Sequence, residues 1–448
     1  MRRFAPWFLV AALCSFTAFA QDNDALPNNA LAGAHKKATH PNPASLKTTG
    51  NIPTPHGFPV GVDTIVNFTG SFQSQGVYFD GSAHNVWEYS MVGNSPAHGG
   101  TTVFKAPVVP VSMDLRNADG SPRYVKVVNK KVLTCANPGN GSAPAGCTRL
   151  FSDVTPFIQP FLNGPVFGNA NYSSSPVPTQ ITDAVQRAEF GNQARSDWHT
   201  LLAPHVATTR TMVLTEGSYQ FSLNADGTCC RYILVLDPVF SGKLFPPSTP
   251  DNSTVIGSAE VAGDITTKDI STFLFPNVYL YETNGDCCVL GFHTFDFENG
   301  DASNGNRLRF YVVNYSSWIS PGIFASPTCS ANDPENCFQD VTAHSHEIAE
   351  TFNDPFVGFD GIHNITPFWQ NPAGQCQDLM EDGDVIEDLP NPTYPVTVGG
   401  VTYHPQTEAL LPWFEFQGNS SAIDNAYSYP NETALTALSA PQPLNCGH

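Results

Sequence analysis

Ten of the eleven cysteines in this 448-residue chain lie beyond residue 20, and no two are spaced as C-x-x-C. An even set without zinc-finger spacing constrains the fold as a disulfide framework, and such frameworks persist in oxidising compartments. The N-terminus points the same way. Arg2 and Arg3 precede an apolar run from Phe4 to Phe19 that ends in the small-residue site Ala18-Phe19-Ala20 and is followed by polar Gln21-Asp22-Asn23-Asp24. The run is short for a membrane span of about 20 residues, so residues 1–20 read as a signal peptide cleaved after Ala20. The mature chain is expected to be secreted, periplasmic or extracellular, and free of the membrane. Leu13 stands where a lipidated cysteine needs a small residue, which argues against lipidation at Cys14. Nearness pairs Cys135 with Cys147 and Cys329 with Cys337. The adjacent pairs Cys229-Cys230 and Cys287-Cys288 are expected to bridge each other, which leaves Cys376 for Cys446.

Forty acidic against twenty basic residues give a net charge of −20, and no Lys/Arg cluster forms a stripe that could track phosphates. Nucleic acid is excluded as a partner on that ground. Few charges (13%), 38 Pro and 35 Gly indicate a turn-rich, largely β chain, and 41% hydrophobic residues supply a core. Residues 21–60 lack large apolar groups and read as a disordered linker or pro-segment. From 61 to 178 short β-branched and aromatic runs (64–68, 86–89, 108–111) read as strands. A Pro/Ser/Asn/Gly-rich stretch over 163–178 is a boundary or a long loop. From 179 to 446 a helix over 180–190 precedes apolar strands at 232–236, 278–281 and 308–313, several with the continuous apolar character of strands buried on both faces. The expected fold class is α+β, with a β-rich N-terminal region leading into an α+β region.

The chemistry concentrates in Asp340-Val341-Thr342-Ala343-His344-Ser345-His346-Glu347-Ile348-Ala349-Glu350-Thr351-Phe352-Asn353-Asp354-Pro355. Asp340 can cap a helix that Pro355 stops. On that helix His346 and Glu350 stand one turn apart on one side, so an imidazole nitrogen and a carboxylate oxygen can share one metal ion. Glu347, about 100° further round, can lean over a metal-bound water. Downstream, Gly374 to Asp384 sets Glu381, Asp382 and Asp384 beside a glycine and Cys376, and one of these carboxylates can complete a three-ligand site. An EF-hand starting at Asp378 fails, with Met380 at the third position and Leu389 at the twelfth. A calcium site of another type from Asp378, Glu381, Asp382 and Asp384 is the alternative, but His346 favours zinc. His344, His363 and His404 are weaker ligand candidates. No GxSxG elbow and no glycine-rich phosphate loop occurs.

The run His346-Glu347-Ile348-Ala349-Glu350, then Asp354-Pro355, then Glu381-x-Gly383-Asp384 near a cysteine, resembles a family of uncharacterised secreted bacterial proteins with an HExxE…DP…ExGD pattern. More distantly it is similar to the plant phosphate-induced (EXORDIUM-like) proteins, and in both the pattern resembles zincin-type metallopeptidases. Blocks over 179–188 and 403–414 extend the resemblance to the bacterial group. It implies a zincin-like region with an active-site helix, a metal held by His346 and Glu350, a third ligand from Glu381 or Asp384, Glu347 as general base, and a peptide or protein substrate. Here Cys376 precedes the ExGD block, whereas in the plant and many bacterial relatives the cysteine follows it. The rival from another class is a non-catalytic extracellular binding or cell-wall-associated protein in which the same metal pins the helix to the acidic loop. A Cys376–Cys446 bond would fix that loop.

Overall fold

The computed structural model describes residues 22–27, 31, 62–72, 87–139, 141–246, 251–283, 285–324, 337–357, 369–377 and 379–438. Residues 1–20, read as a signal peptide, and Cys329, His363, Asp378 and Cys446 lie outside the described residues.

Two antiparallel strands, β1 (Asn67–Phe72) and β2 (Trp87–Val92), lead to a 16-residue strand, β3 (Thr101–Arg116). This strand organises a seven-stranded sheet with β4 (Phe151–Ser152), β5 (His199–Val206), β6 (Arg210–Thr215), β9 (Ile270–Pro276), β12 (Gly291–Glu298) and β13 (Arg309–Trp318). The path runs β12-β13-β9-β3-β4, and β5 and β6 pair in parallel with successive halves of β3. Strands β13, β9 and β3 are parallel, and β12 closes that edge antiparallel. The second sheet consists of β7 (Tyr219–Leu223), β8 (Cys229–Leu236), β10 (Val278–Tyr281) and β11 (Cys287–Val289), in the order β7-β8-β10-β11. The chain passes from one sheet to the other at Asn277, which has φ 51°.

Because side chains alternate along a strand, β3 serves two cores. Phe104, Ala106 and Val108 face one, with helix α1 (Ile181–Phe190) and helix α2 (Thr342–Asn353). Val109, Val111, Met113 and Leu115 face the other, against the second sheet. A strand buried on both faces reads as a nearly continuous apolar run, which is the character of 106–115. The fold is α+β with a β-rich region. The 163–178 stretch is a loop within this body, because β3 from before it pairs with β5, β6 and β9 from after it. The division into regions at residue 178 is therefore corrected.

Two further expectations change. Residues 22–27 and Leu31 are packed: Leu26 N donates to Phe221 O at 2.7 Å, Phe221 N donates to Asp24 O at 3.0 Å, and Leu31 is only 2% exposed. They hold a buried arginine. Arg123, 1% exposed, pairs with Asp22 at 2.5 Å, Asp24 at 3.0 Å and Glu216 at 3.3 Å, and donates to Tyr219 Oη at 2.7 Å. The start of the 21–60 segment is thus part of the fold, and not a disordered linker. Second, Cys229 bonds Cys230 and Cys287 bonds Cys288, each within its own pair. The reason is spatial: β10 lies between β8 and β11, so the two pairs sit about 9–10 Å apart in the sheet, beyond the reach of a disulfide. Cys135 bonds Cys147 as expected. Cys337 and Cys376 are also disulfide-bonded, to partners outside the described residues. No helix among the described residues is long and apolar enough to cross a membrane.

Candidate metal centre

Helix α2 is buried on every side, with none of its twelve residues more than 5% exposed. A helix hidden all round is ordinarily apolar. This one carries His344, His346, Glu347, Glu350 and Asn353, each of which needs a partner inside the protein. Asp340 does not cap it. Its φ of 45° turns the carboxylate onto Val341 N (2.6 Å) and onto His404, whose Nδ1 lies at 2.7 Å. His404 is therefore engaged away from the acidic loop. Thr342 Oγ1 makes the helix-start contacts instead, accepting from Gln339 N and donating to His404 O.

Ile348 and Phe352 anchor α2 in the core shared with α1, each worth about 1.5–3 kcal/mol of apolar burial. His344 belongs to this apolar side. Its ring stacks on Phe161 at 4.1 Å, its Nε2 lies 3.3 Å from Thr272 Oγ1, and burial lowers its pKa to about 3, so it is a neutral core residue. The other side turns His346, Glu347 and Glu350 toward β12 and the acidic loop.

That loop is pinned by its apolar neighbours. Met380, Val385 and Ile386 are fully buried in a cluster with Trp369, Trp413 and Phe414, and Trp369 Nε1 donates to Leu379 O at 2.6 Å. Glu381, Asp382 and Asp384, all 0% exposed, are thereby driven inward. The amides of Gly383 and Asp384 donate to Glu350 Oε1 at 3.1 and 3.2 Å. Glycine is required at 383 because a Cβ there would stand 2.6 Å from His346 Nδ1. Gly291 on β12 has the same role toward Glu347 Oε1, also at 2.6 Å.

His346 Nε2 lies 3.1 Å from Glu350 Oε1, 3.4 Å from Asp384 Oδ1 and 4.0 Å from Glu347 Oε1. Asp384, at the start of the short helix α3 (Asp384–Glu387), is thus the downstream carboxylate beside His346, and Gln377 Nε2 donates to its other oxygen. Gln377 directly follows the disulfide-bonded Cys376. Glu381 sits elsewhere: its Oε2 is 3.6 Å from Nε2 of a second histidine, His293.

Sequence reasoning missed His293. It stands on β12, fully buried, with Nδ1 3.3 Å from Glu350 Oε2 and 3.6 Å from Glu347 Oε2. Its Nε2 lies 3.1 Å from the backbone oxygen of Asp354. A carbonyl only accepts, so Nε2 carries a proton, and Nδ1 is the nitrogen that faces the two glutamates. The available signal was a period of two: His293 shares a strand face with Phe295 and Phe297, both of which pack in the α2 core.

Burial opposes a charge on His293, but the hydrogen bonds and charges of Glu347 and Glu350 outweigh it and hold its pKa up at about 9. Burial likewise opposes charge on His346, whose pKa is nonetheless raised by Glu350 and Glu347. Burial pushes Glu347 up to about 7. Glu350 goes the other way, since the nearby histidines overcome its burial. Burial and then the neighbouring carboxylates raise Glu381. His346 Nε2, Glu347 Oε2, Glu350 Oε2 and Asp384 Oδ1 are buried and make no hydrogen bond. Imidazole and carboxylate atoms gathered in this way could hold a metal ion, and two triads lie within ligand reach: His293, Glu347 and Glu350, and His346, Asp384 and Glu387.

Glu189 on α1 supports the site from behind. Its Oε2 accepts from Asn353 Nδ2 at 3.3 Å and Leu411 N at 3.4 Å, and Asn353 Nδ2 also donates to Asp382 at 3.0 Å. Burial raises the Glu189 pKa to about 8. The folded state therefore keeps this proton after the unfolded chain has lost it, and stability falls as pH rises from the ordinary glutamate range toward 8. Glu189→Gln keeps the acceptor and removes the titration. In thermal unfolding its midpoint should match the wild type near pH 5 and exceed it by roughly 2 °C or more at pH 8; a difference independent of pH would contradict this.

No family model matches the chain, and neither a curated protein nor a solved structure matches it.

Proposed function

We propose that the chain is a secreted, zinc-dependent peptidase-like hydrolase in which His346, Glu350 and Asp384 hold the metal and Glu347 is the general base. The observation that carries this reading is the approach of His346 Nε2 to Glu350 Oε1 and Asp384 Oδ1, within 3.4 Å, in a site where these residues are at most 4% exposed. Two imidazoles beside the carboxylates favour zinc over calcium, which prefers oxygen-only shells. Bound zinc would polarise a scissile carbonyl and acidify its water. The rest falls to the chain. The raised pKa of Glu347, near neutrality, suits a group that accepts a proton from water and returns it to the leaving amine. Gln377 and the Gly383 and Asp384 amides fix the two carboxylate ligands, and Gly291 leaves room for the Glu347 carboxyl. Glu347→Gln should lower peptide hydrolysis by at least about 100-fold while zinc remains on His346, Glu350 and Asp384. Unchanged turnover would remove Glu347 from the mechanism.

One observation favours a second reading. His346, Glu347, Glu350 and Asp384 are all nearly inaccessible, as in a structural site that ties a helix to a loop in a non-catalytic extracellular protein. Bound zinc without cleavage of any member of a broad peptide library would support that reading over the hydrolase.

A further inference from the structure

We infer that the centre is built for two divalent cations bridged by Glu350, and not for one. This rests on the metal reading above and extends it to His293. The two oxygens of Glu350 face opposite ways: Oε1 lies 3.1 Å from His346 Nε2, and Oε2 lies 3.3 Å from His293 Nδ1. Each imidazole heads its own triad of donors, one completed by Glu347 and Glu350 and the other by Asp384 and Glu387. A carboxylate set between two nitrogen ligands, one on each oxygen, is the arrangement that bridges a metal pair at about 3.5–4 Å.

Charge points to the same count. Glu347, Glu350, Asp384 and Glu387 are at most 5% exposed. Among the described residues the ion-pair partners of Glu347, Glu350 and Asp384 are His293 and His346, with no lysine or arginine. Glu381, 0% exposed and 3.6 Å from His293 Nε2, adds a fifth buried carboxylate. One divalent cation leaves most of this negative charge uncompensated, at a cost of several kcal/mol per buried charge, and a second cation offsets more of it. The orientation of His293 also fits, because the Asp354 carbonyl faces Nε2 and leaves Nδ1 directed at the gap between Glu347 and Glu350. In a paired centre Glu347, grouped with His293 and Glu350, is a ligand of the second cation in place of the general base, so Glu347→Gln there removes one equivalent of metal and leaves the other, whereas the single-metal reading keeps all of it.

Manganese(II) is the probe. The full-length protein, stripped with chelator and titrated with manganese, should bind two equivalents per chain. Its electron paramagnetic resonance spectrum should show exchange coupling between the ions in place of the six-line pattern of an isolated ion. His293→Asn should bind one equivalent and restore the six-line pattern. One equivalent with a six-line spectrum in the wild type overturns the pairing but leaves the single-metal reading standing. No uptake of manganese or zinc overturns both. The wild-type titration and spectrum decide the matter even if the His293 variant does not fold.

Discussion

Stripping the metal with a strong chelator is expected to lower the thermal midpoint by roughly 10 °C, and restoring zinc should recover it. The size follows from linkage: a ligand at about a thousand times its dissociation constant contributes about 4 kcal/mol to the folded state, and in a large domain each kcal/mol moves the midpoint by about 2–4 °C. The structure gives the effect its cause. Glu347, Glu350 and Asp384 are buried, face one another and two histidines, and include oxygens without hydrogen bonds. Without a cation burial favours proton uptake by the cluster, and burial is what raises the pKa of Glu347. Acid should weaken binding as well, because protons compete with the metal for the imidazoles and carboxylates. The chelator-induced shift should therefore be smaller at pH 5 than at pH 8. A midpoint indifferent to chelation at both pH values would mean that protons alone neutralise the cluster.

The second large effect is expected far from that centre. Arg123→Met should cost about 3–5 kcal/mol, the penalty for leaving a buried charge without its partner. Here the abandoned group is Asp22, whose side chain is fully buried against the guanidinium. Asp22→Asn should cost less, because Asp24 and Glu216 still reach Arg123. Denaturant unfolding of the two variants checks the order, and an Arg123→Met protein as stable as the wild type would show that these contacts contribute little. The same contacts bear on processing. Removal of residues 22–27 would leave Arg123 buried with only Glu216 and Tyr219, so loss of this part of the 21–60 segment is expected to destabilise the fold.

Much of the centre was legible in the sequence because it is local. Four residues advance a helix by little more than one turn, so His346 and Glu350 had to share a face of α2, and the packing of Gly383 on the His346 ring explains the glycine in the acidic block. The strand character of 108–111 within β3 was legible for the same reason, since its composition belongs to one segment. What was hidden depends on contacts distant in the chain. His293 is brought to the helix by the pairing of β12 with β13 and by the packing of α2 on that edge, neither of which a local pattern specifies. Residues 22–27 were hidden because their composition lacks core residues, yet a few backbone hydrogen bonds and one buried arginine suffice to dock them. The adjacent cysteines were assigned across strands because spacing carries no information about the strand, β10, that separates them.

The central claim is that His346, Glu350 and Asp384 surround a metal ion. Anomalous diffraction at the zinc absorption edge, from crystals of the protein grown with zinc, tests it most directly. The expected map has a peak within about 2.0–2.2 Å of His346 Nε2 and of oxygens of Glu350 and Asp384. A map without a peak there, with the three side chains held as they are here, would contradict the claim.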